Sequence, residues 1–347
     1  MIIINSRFLT QSVTGVQRYA IELSLRLKQL DPSIEFVCPG NVVQHDIFEQ
    51  LNAKITGKRT GHLWEQIDLP QYLKKQGNPL LLNLCNTAPI CYKNKTVTIH
   101  DVAFNVYPKT YSKSFLYLYK FLIPNIIKTS GHIFTVSNFS KQEIIRFYKV
   151  SEEKISVVYN AVNDSFKPVY DPDLRNIKYL LAVSSLNHRK NLTAILQAFN
   201  IISAKNKDIQ LYLIGDLETK SFTKIDISEY LQHPQIKILG RVPDSELIKY
   251  YSNAKGFLYP SLYEGFGIPP LEAQNCACPV LVSNAGSLPE IFRDSALFCD
   301  PFSIDSIAAN MLKLLDDNVC ELLKAKNKQN ITRFSWKQSA MDIFNSL

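Results

Sequence analysis

Two carboxylates and two glycines lie in one short stretch of the sequence, at positions 264–272. The stretch reads Glu-Gly-Phe-Gly-Ile-Pro-Pro-Leu-Glu, and the apolar residues 256–260 precede it as a buried strand would. The glycines allow a sharp turn and a close approach of a ligand to the backbone. Because proline suits the first turn of a helix, Pro269 and Pro270 indicate that a helix begins there. The pattern therefore predicts a strand, a tight turn and a helix.

The start of the predicted helix is a candidate anion site. Its unpaired N–H groups and the positive end of its dipole favour a phosphate. Glu264 lies in the turn before this helix, and Glu272 lies in its first turns. Because carboxylates repel phosphate, we expect Glu264 and Glu272 to bind hydroxyl groups, on a sugar and on a ribose.

This stretch closely resembles the donor site of retaining family 4 glycosyltransferases, in which seven residues separate two acidic ones. Tyr-Pro-Ser at 259–261 and Leu-Pro-Glu at 288–290 extend the resemblance, which continues along nearly the whole chain. The resemblance implies an α/β protein with the GT-B fold, in which two Rossmann-like, doubly wound domains face a central cleft. It also implies transfer of a hexose from a nucleotide-diphosphate sugar to a hydroxyl of a glycan acceptor, with retained anomeric configuration.

The composition fits two globular domains. The chain has 347 residues, of which 46% are hydrophobic and 20% charged, and this length suits two cores of ordinary size. No uncharged apolar run approaches the roughly 18 residues of a membrane span, and the N-terminus lacks the pattern of a signal peptide. The seven cysteines show no zinc-site spacing. We expect a cytoplasmic protein with reduced cysteines.

The net charge of +8 indicates an anionic partner. A nucleotide or the anionic leaflet of a membrane fits, whereas no zinc-finger, basic-zipper or RNA-binding signature supports a nucleic acid. The resemblance implies a nucleotide-diphosphate sugar and a glycan or lipid-linked oligosaccharide acceptor of surface polysaccharide (O-antigen or capsule) biosynthesis. An aromatic, leucine-rich helix at 114–127, with lysines nearby, leaves peripheral contact with the inner face of the cytoplasmic membrane open. A buried or dimer-facing helix is the alternative.

Short apolar runs alternate with amphipathic segments along the chain, which predicts parallel sheets. We predict an N-terminal acceptor domain at 1–165, a polar linker at 163–176, a donor domain at 177–334 and a crossover helix at 335–347 that returns to the first domain. The predicted strands are residues 1–5, 34–38, 80–86, 96–100, 132–136, 155–159, 179–185, 209–215, 236–239, 256–260, 278–283 and 296–299. The main predicted helices are residues 15–30, 114–128, 138–148, 191–202 and 244–253, with others from 303 and near 319.

Three residues of the first half are candidate site residues. Gly15 opens the first helix, where the resemblance implies that its backbone borders the donor phosphate or the acceptor; an ordinary helix start explains it equally well. His100 and Asp101 end a predicted strand, a favoured position for ligand-binding residues in an open parallel sheet. The resemblance implies that His100 contacts the transferred sugar, and that Asp101 orients His100 or meets the acceptor. In contrast, Ser137 and Asn138 need only cap a helix.

The second half offers a basic loop at 184–191 that resembles the diphosphate-binding loop of the family. Lys190 matches the family lysine, but Ser185 occupies the position of the usual arginine, so Ser185 with backbone amides, or Arg189, would replace that cation. A solvated basic turn is the alternative. Arg241 and Val242 follow another strand, at the turn that lies beside the nucleobase in the family. The donor-binding set is thus Gly15, Ser185, Arg189, Lys190, Arg241, Val242, Glu264, Gly265, Phe266, Gly267, Ile268 and Glu272.

The implied mechanism needs no cofactor. Departure of the nucleoside diphosphate builds charge on its β-phosphate, which Lys190 and the helix start near Pro269 would stabilise. The Asp-x-Asp at 171–173 lies in the predicted polar linker and not in the predicted site, so we expect activity without a metal. His100, Asp101 and Glu264 form the predicted catalytic set. Two alternatives stay open: a GT-B sugar-nucleotide epimerase, and a non-catalytic nucleotide-sugar-binding subunit of a glycan synthase, which Ser185 keeps plausible.

Overall fold

The structure is a computed structural model of the chain, and it describes residues 1–184, 187–215, 228–230 and 232–347. The chain forms two compact units, each described here by itself. Unit 1 contains residues Met1–Asn105, Lys113–Asn160 and Ser335–Leu347, and unit 2 contains Val106–Ser112 and Ala161–Phe334. The predicted boundaries at 165 and 177 stay a prediction. One feature of the division was not anticipated: the seven residues Val106–Ser112 pack with unit 2.

Unit 1 is built on a parallel sheet of seven strands in the order β3-β2-β1-β4-β5-β6-β7. The strands are β1 Ile2–Asn5, β2 Glu35–Cys38, β3 Lys54–Ile55, β4 Leu80–Asn83, β5 Lys95–Thr98, β6 His132–Thr135 and β7 Ile155–Val157. The order reverses between β1 and β4, where Ile3 pairs with Leu81. Because ligands of open parallel sheets bind at the carboxyl ends of strands where the order reverses, this point is a candidate site.

Unit 2 is built on a parallel sheet of six described strands in the order β10-β9-β8-β11-β12-β13. The strands are β8 Tyr179–Val183, β9 Gln210–Ile214, β10 Ile236–Gly240, β11 Gly256–Tyr259, β12 Val280–Ser283 and β13 Leu297–Cys299. Here the order reverses between β8 and β11, where Phe257 pairs with Leu181. Both predicted phosphate-binding segments follow these two strands.

Helices cover the sheets as the alternation predicted. Those of the first half are α1 Gly15–Leu30, α2 His45–Leu51, α3 Gly61–Leu63, α4 Leu69–Lys75, α5 Ala103–Val106, α6 Lys113–Thr129 and α7 Asn138–Tyr148. Those of the second half are α8 Pro172–Arg175, α9 Leu192–Ser203, α10 Asp244–Asn253, α11 Ile268–Asn275, α12 Leu288–Phe292, α13 Ile304–Lys313 and α14 Asp317–Ile331. A π-helical turn, Trp64–Asp68, joins α3 to α4. The core of unit 2 lies between the sheet and α9 and α13.

The last helix, α15 (Trp336–Asn345), belongs to unit 1 and packs against α1. The Trp336 and Tyr19 rings meet edge to face with centroids 5.9 Å apart. The Ser339 hydroxyl donates a hydrogen bond of 2.7 Å to the Tyr159 carbonyl. The C-terminal segment therefore completes the first unit, as an amphipathic crossover helix would.

Candidate active site

The loops after β8 and β11 are joined by backbone and side-chain hydrogen bonds. The Leu262 N–H donates to the Arg189 carbonyl at 2.8 Å. Asn191, which is left-handed at φ 58° and precedes α9, donates from Nδ2 to the carbonyls of Pro260 at 3.0 Å and Pro301 at 2.7 Å. These bonds fix the basic loop against the glycine-containing turn. The two predicted segments thus form one site at the reversal point of the unit 2 sheet.

Lys190 is the centre of this site. Its Nζ donates to Glu264 Oε1 at 2.9 Å and to the Tyr259 hydroxyl at 2.5 Å. The side chains of Lys190 and Glu264 are 24% and 13% exposed, so both are accessible to a ligand while largely desolvated. Sequence reasoning identified the lysine and the glutamate but missed Tyr259, the last residue of β11.

Lys190, Glu264 and Tyr259 shift one another's pKa values. Burial by itself raises the pKa of Glu264, but the charges of Lys190 and Arg189 and hydrogen bonds from Lys190 and Ser261 outweigh it and leave this pKa below its usual value. Burial by itself lowers the pKa of Lys190, and Glu264 and Tyr259 reverse that effect and raise it. Burial and the Glu264 charge raise the pKa of Tyr259. At neutral pH the site therefore holds an ammonium, a carboxylate and a neutral phenol.

The glycine turn has the geometry that its sequence predicts. Gly267 has φ 104°, which side chains rarely adopt, and a Cβ there would lie 2.7 Å from Leu288. Ile268 then begins α11, with proline in its first turn. Phe266 is buried and meets Phe334 edge to face at 5.4 Å. Gly265 is also buried, so backbone rather than side chains lines this turn beside the helix start.

Glu272 lies in the middle of α11 and is only 7% exposed. Its charge contributes, after burial, to raising the pKa of the neighbouring Tyr251. A buried carboxylate beside a phenol is costly unless a partner satisfies it. Its assignment to the ribose hydroxyls stays a prediction.

Arg189 neighbours a segment that sequence reasoning placed elsewhere. Its guanidinium lies 5.7 Å from the ring centroid of Tyr111, and Tyr107 meets Tyr263 edge to face at 6.1 Å. Residues 106–112 thus contact both loops of the site, through Arg189 on one and Tyr263 on the other. A cavity of about 390 Å³ beside them is lined by Val106, Tyr107, Pro108, Lys109, Thr110 and His188. No sequence signal reveals these contacts. The segment 106–112 belongs to unit 2, although the residues before and after it in the chain belong to unit 1.

Two further candidates of unit 2 lie at the end of one other strand, β10. Arg241 is exposed and Val242 half-buried, directly after β10, where Gly240 has φ 69°. Their predicted place beside the nucleobase stays a prediction. Ser185, the departure from the family arginine, lies outside the described residues.

Gly15 is the first residue of α1. The preceding Thr14 donates its backbone N–H to Gln17 Oε1 at 3.3 Å, and its hydroxyl donates to the same oxygen. An exposed, capped helix start accounts for this position, and its contact with a phosphate stays a prediction. Ser137 is the cap of α7, since its hydroxyl accepts from the Ser140 N–H at 3.0 Å.

His100 lies two residues beyond β5 and is buried. Its backbone N–H donates to Asn86 Oδ1 at 2.8 Å, which ends the strand earlier than predicted, and Nε2 donates to the Leu84 carbonyl at 2.9 Å. Burial lowers its pKa despite the opposing effects of Leu84 and Asp101. A neutral ring that donates from Nε2 carries its lone pair on Nδ1, so His100 can accept a substrate hydroxyl.

Asp101 has a local contact of its own, accepting the Ala103 N–H at 2.9 Å through Oδ1. That bond starts α5 and explains the residue type structurally. Orientation of His100 by Asp101 stays a prediction.

The fold and the site define a class: an α/β protein with two parallel-sheet units, one of which places a lysine, a carboxylate and a helix start at the reversal point of its sheet. Residues 13–166 match the family model "Glycosyltransferase Family 4", and residues 173–333 match "Glycosyl transferases group 1". The chain belongs to this glycosyltransferase family, as the sequence motifs predicted.

Individual proteins that are similar to this chain are named as glycosyltransferases. The chain is 27% identical to "O-antigen chain mannosyltransferase B" of Escherichia coli, over 96% of each chain. It is 28% identical to "O-antigen chain mannosyltransferase RfbU" of Salmonella typhimurium, over 86% of each. A solved glycosyltransferase from Rickettsia africae superimposes with a TM-score of 0.74 at 19% identity, over 99% of this chain and 97% of that one. The predicted GT-B fold is confirmed.

Membrane-spanning helices and metal-ligand clusters concern the partners that the described residues could have. None of the described helices is long and apolar enough to cross a bilayer. In the part of the chain that the structure describes, no three His, Cys, Asp or Glu side chains group as metal ligands would. The expectation of activity without a metal stays a prediction.

Proposed function

We propose that the chain is a retaining mannosyltransferase that moves mannose from a nucleoside-diphosphate donor to a hydroxyl of a glycan acceptor. The observation that carries this proposal is the Lys190–Glu264–Tyr259 centre at the reversal point of the unit 2 sheet. Mannose is supported by the names of the two relatives, each of which the chain covers over most of its length. The base of the donor is left open.

The donor diphosphate would bind where cations and free N–H groups converge. Lys190 uses two of its three N–H groups on Glu264 and Tyr259, which leaves one for a phosphate oxygen. At the start of α11 Pro269 and Pro270 have no N–H, so the backbone N–H groups of Gly267 and Ile268 and the helix dipole would supply the fixed positive end, which costs no reorganisation as charge develops on the leaving group. These groups would do what a divalent metal does elsewhere, so the proposed reaction needs none.

The remaining site residues would handle the sugar and the ribose. Glu264, held ionised by Lys190, can accept hydrogen bonds from sugar hydroxyls. His100 would accept one through Nδ1, and Glu272 would hold the ribose hydroxyls. In the proposed reaction the acceptor oxygen attacks the anomeric carbon on the face from which the phosphate departs. Its proton passes to the departing phosphate oxygen, and the anomeric configuration is retained.

The acceptor is proposed to be lipid-linked, with the protein at the inner face of the cytoplasmic membrane. The exposed face of α6 carries Tyr117 and Phe121, 76% and 62% exposed, beside Lys113, Lys120 and Lys128. Aromatic side chains next to lysines are typical of helices that lie in a membrane interface, where anionic lipids attract the cations. Contact with the lipid surface would bring the enzyme to an acceptor that does not diffuse away.

The central experiment incubates the protein with GDP- and UDP-sugars and with extracted lipid-linked glycans. Transfer of mannose, with an α-anomeric product from an α-donor by NMR, supports the proposal. Isomerisation of the donor without acceptor would indicate the epimerase, and donor binding without turnover would indicate the non-catalytic subunit; either outcome overturns it.

The membrane contact is tested separately by sedimentation with vesicles that contain anionic phospholipid. The double variant Tyr117→Ser/Phe121→Ser should lose most of the vesicle-bound fraction. Phe302→Ser, which removes a 75% exposed aromatic from unit 2, serves as the matched control. Equal sedimentation of wild type and both variants would refute the α6 surface.

A further inference from the structure

A buried ion pair lies at the reversal point of the other sheet, in unit 1. Arg7 follows β1 and is 9% exposed at its side chain, and Glu65 lies in the π-helical turn and is 1% exposed. Arg7 Nε donates to Glu65 Oε1 at 3.2 Å. Such turns occur often at functional sites, and ligands of parallel sheets bind at the point where the strand order reverses. None of the residues assigned so far uses this pair.

Two more side chains, at the end of β1 and beyond the end of β4, fix the pair. Asn5 Nδ2 and the Thr87 hydroxyl donate to Glu65 Oε1 at 2.9 and 3.0 Å. Arg7 Nη2 donates to Thr87 Oγ1 at 2.9 Å. Glu65 Oε1 is thereby saturated, whereas its Oε2 has only His62 Nδ1 at 3.4 Å. These hydrogen bonds fix both side chains, and the remaining hydrogen-bonding capacity of Glu65 is at Oε2.

Tyr119 of α6 lies beside His62, the residue that contacts Glu65 Oε2. The pKa of Tyr119 is raised by burial, lowered by the Arg7 charge and raised by that of Glu65, so its hydroxyl lies near both groups. The ring is fixed by a stack on Phe115, at 3.9 Å between centroids, and an edge contact with Phe104 at 5.9 Å. His62 meets the same ring at 6.3 Å. Within the described residues neither the Tyr119 hydroxyl nor Arg7 Nη1 has a hydrogen-bond partner.

We propose that Arg7, Glu65 and Tyr119 form a binding site for an uncharged sugar residue. A sugar hydroxyl both donates and accepts, so it can donate to Glu65 Oε2 and accept from Arg7 Nη1 or from the Tyr119 hydroxyl. The fixed aromatic ring supplies an apolar wall, as sugar sites need, and its immobility reduces the entropy lost on binding. The site rests on the proposed function in one respect: the bound residue would be the one that accepts the transferred mannose.

The charge balance at the site is what excludes an anion. Burial by itself raises the pKa of Glu65, but the Arg7 charge and hydrogen bonds from His62 and Asn5 outweigh it and lower this pKa to about 2. The carboxylate is therefore ionised at neutral pH and cancels the Arg7 charge. A phosphorylated sugar would place its charge beside that carboxylate, which like-charge repulsion disfavours.

Saturation-transfer NMR tests the proposal in the absence of any donor, with methyl α-mannopyranoside and mannose 6-phosphate as probes. We expect the neutral glycoside to bind at least tenfold more tightly than the phosphate. Tyr119→Phe removes only the hydroxyl and should weaken the neutral glycoside about fivefold, the equivalent of one hydrogen bond. Tyr170→Phe, which alters a tyrosine 64% exposed in unit 2, is the matched control and should leave the affinity unchanged.

A second variant, at Glu65, tests the site without relying on the Tyr119 hydroxyl. Glu65→Gln keeps the shape and frees the Arg7 charge, so it should reverse the preference and favour mannose 6-phosphate. If this variant does not fold, the Tyr119→Phe comparison decides. Tighter binding of mannose 6-phosphate by wild type, no saturation transfer to the neutral glycoside, or equal affinities of wild type and Tyr119→Phe would overturn the site.

Failure of the site and failure of the proposed function give different results. Unaltered acceptor KM in Tyr119→Phe, with normal mannose transfer, removes the site and leaves the function. Glycoside binding that depends on Tyr119, with no turnover of any donor, keeps the site and removes the function.

Discussion

Replacing Lys190 by methionine removes a single charge from the proposed phosphate site and retains most of the side-chain volume. In the structure two of its three N–H groups are bound to Glu264 Oε1 and the Tyr259 hydroxyl, so one is left for the donor. A hydrogen bond from a charged group to a phosphate oxygen contributes about 1.5–3 kcal/mol. Lys190→Met should therefore weaken a nucleoside diphosphate about 10- to 150-fold.

The contact between Lys190 and Glu264 makes this prediction sharper. Without the lysine, the Glu264 carboxylate is left buried, 13% exposed, and facing the place where the diphosphate binds. The double variant Lys190→Met/Glu264→Gln removes that repulsion. It should bind a nucleoside diphosphate several-fold more tightly than Lys190→Met alone, since removal of a like charge beside a ligand anion is favourable.

Isothermal titration calorimetry with GDP and UDP measures the coupling energy between the two positions. It compares wild type, Lys190→Met, Glu264→Gln and the double variant. The free nucleotides avoid any effect of Glu264 on the sugar. Lys255→Met is the matched control, because Lys255 pairs at 2.8 Å with Asp317, which is 82% exposed, and is not part of the site. Unchanged nucleotide affinity in Lys190→Met would contradict the reasoning. So would a double variant that binds the nucleotide more weakly than Lys190→Met does.

Four further predictions follow from named contacts. Tyr111→Leu should raise the donor KM about threefold at unchanged acceptor KM, because the ring that stacks on the Arg189 guanidinium is lost, whereas Tyr111→Phe should not; equal donor KM values for the two variants would contradict this. Glu272→Ala should weaken donor binding at least tenfold with the far-UV circular dichroism spectrum intact, and unchanged turnover would remove the ribose assignment. Activity should persist in EDTA, and its abolition would show a metal requirement. Glu65 has a pKa of about 2 in the folded protein against about 4.3 in an unfolded chain, so its contribution is complete above the unfolded value and is lost as the pH falls through the folded one. The free energy of unfolding of Glu65→Gln, from urea titrations, should therefore vary by about 2 kcal/mol less than that of wild type between pH 4.5 and 2; parallel curves would refute this.

Local signals predicted most of the elements. The bounds of α1, α7 and α10 are the predicted ones, because each is an amphipathic run that begins at a cap or a proline. Seven strands, β4 to β9 and β11, were predicted one to three residues too long at their carboxyl ends. β4, for example, ends at Asn83 rather than at residue 86. Leu84, Ile99 and Val136, directly beyond three of these ends, are apolar, but their backbone leaves the ladder for the loops that build the sites.

Elements that depend on distant partners were not predicted. The region 45–75 contains α2, the two-residue strand β3 and the π-helical turn, none of which has a strong periodicity of its own. Trp64 is fully buried there, with Nε1 donating to the Thr56 carbonyl at 2.7 Å. Tertiary packing of this tryptophan, rather than local propensity, places Glu65 at the end of the sheet.

The two halves of the main site were predictable separately. Lys190 and Glu264 are 74 positions apart, and each was identified from its own loop. That they touch follows from the order of β8 and β11 in the sheet, which sequence patterns do not give. Tyr259 and Tyr111 joined the site for the same reason, one from a strand end and one from a segment of the first half of the chain.

The reversal points of the two sheets carry different net charges, and this difference assigns a ligand class to each. In unit 2, Lys190 and Arg189 lie close to Glu264, and the start of α11 adds the positive end of a helix dipole, which together suit a diphosphate. In unit 1, Arg7 and Glu65 cancel, so only hydrogen-bonding capacity remains, which suits hydroxyls. Exchanging the ligand classes would place a diphosphate beside the Glu65 carboxylate, which repels it, and a neutral sugar beside the two cations of unit 2. From this charge balance we expect the donor and the uncharged sugar to bind to separate units.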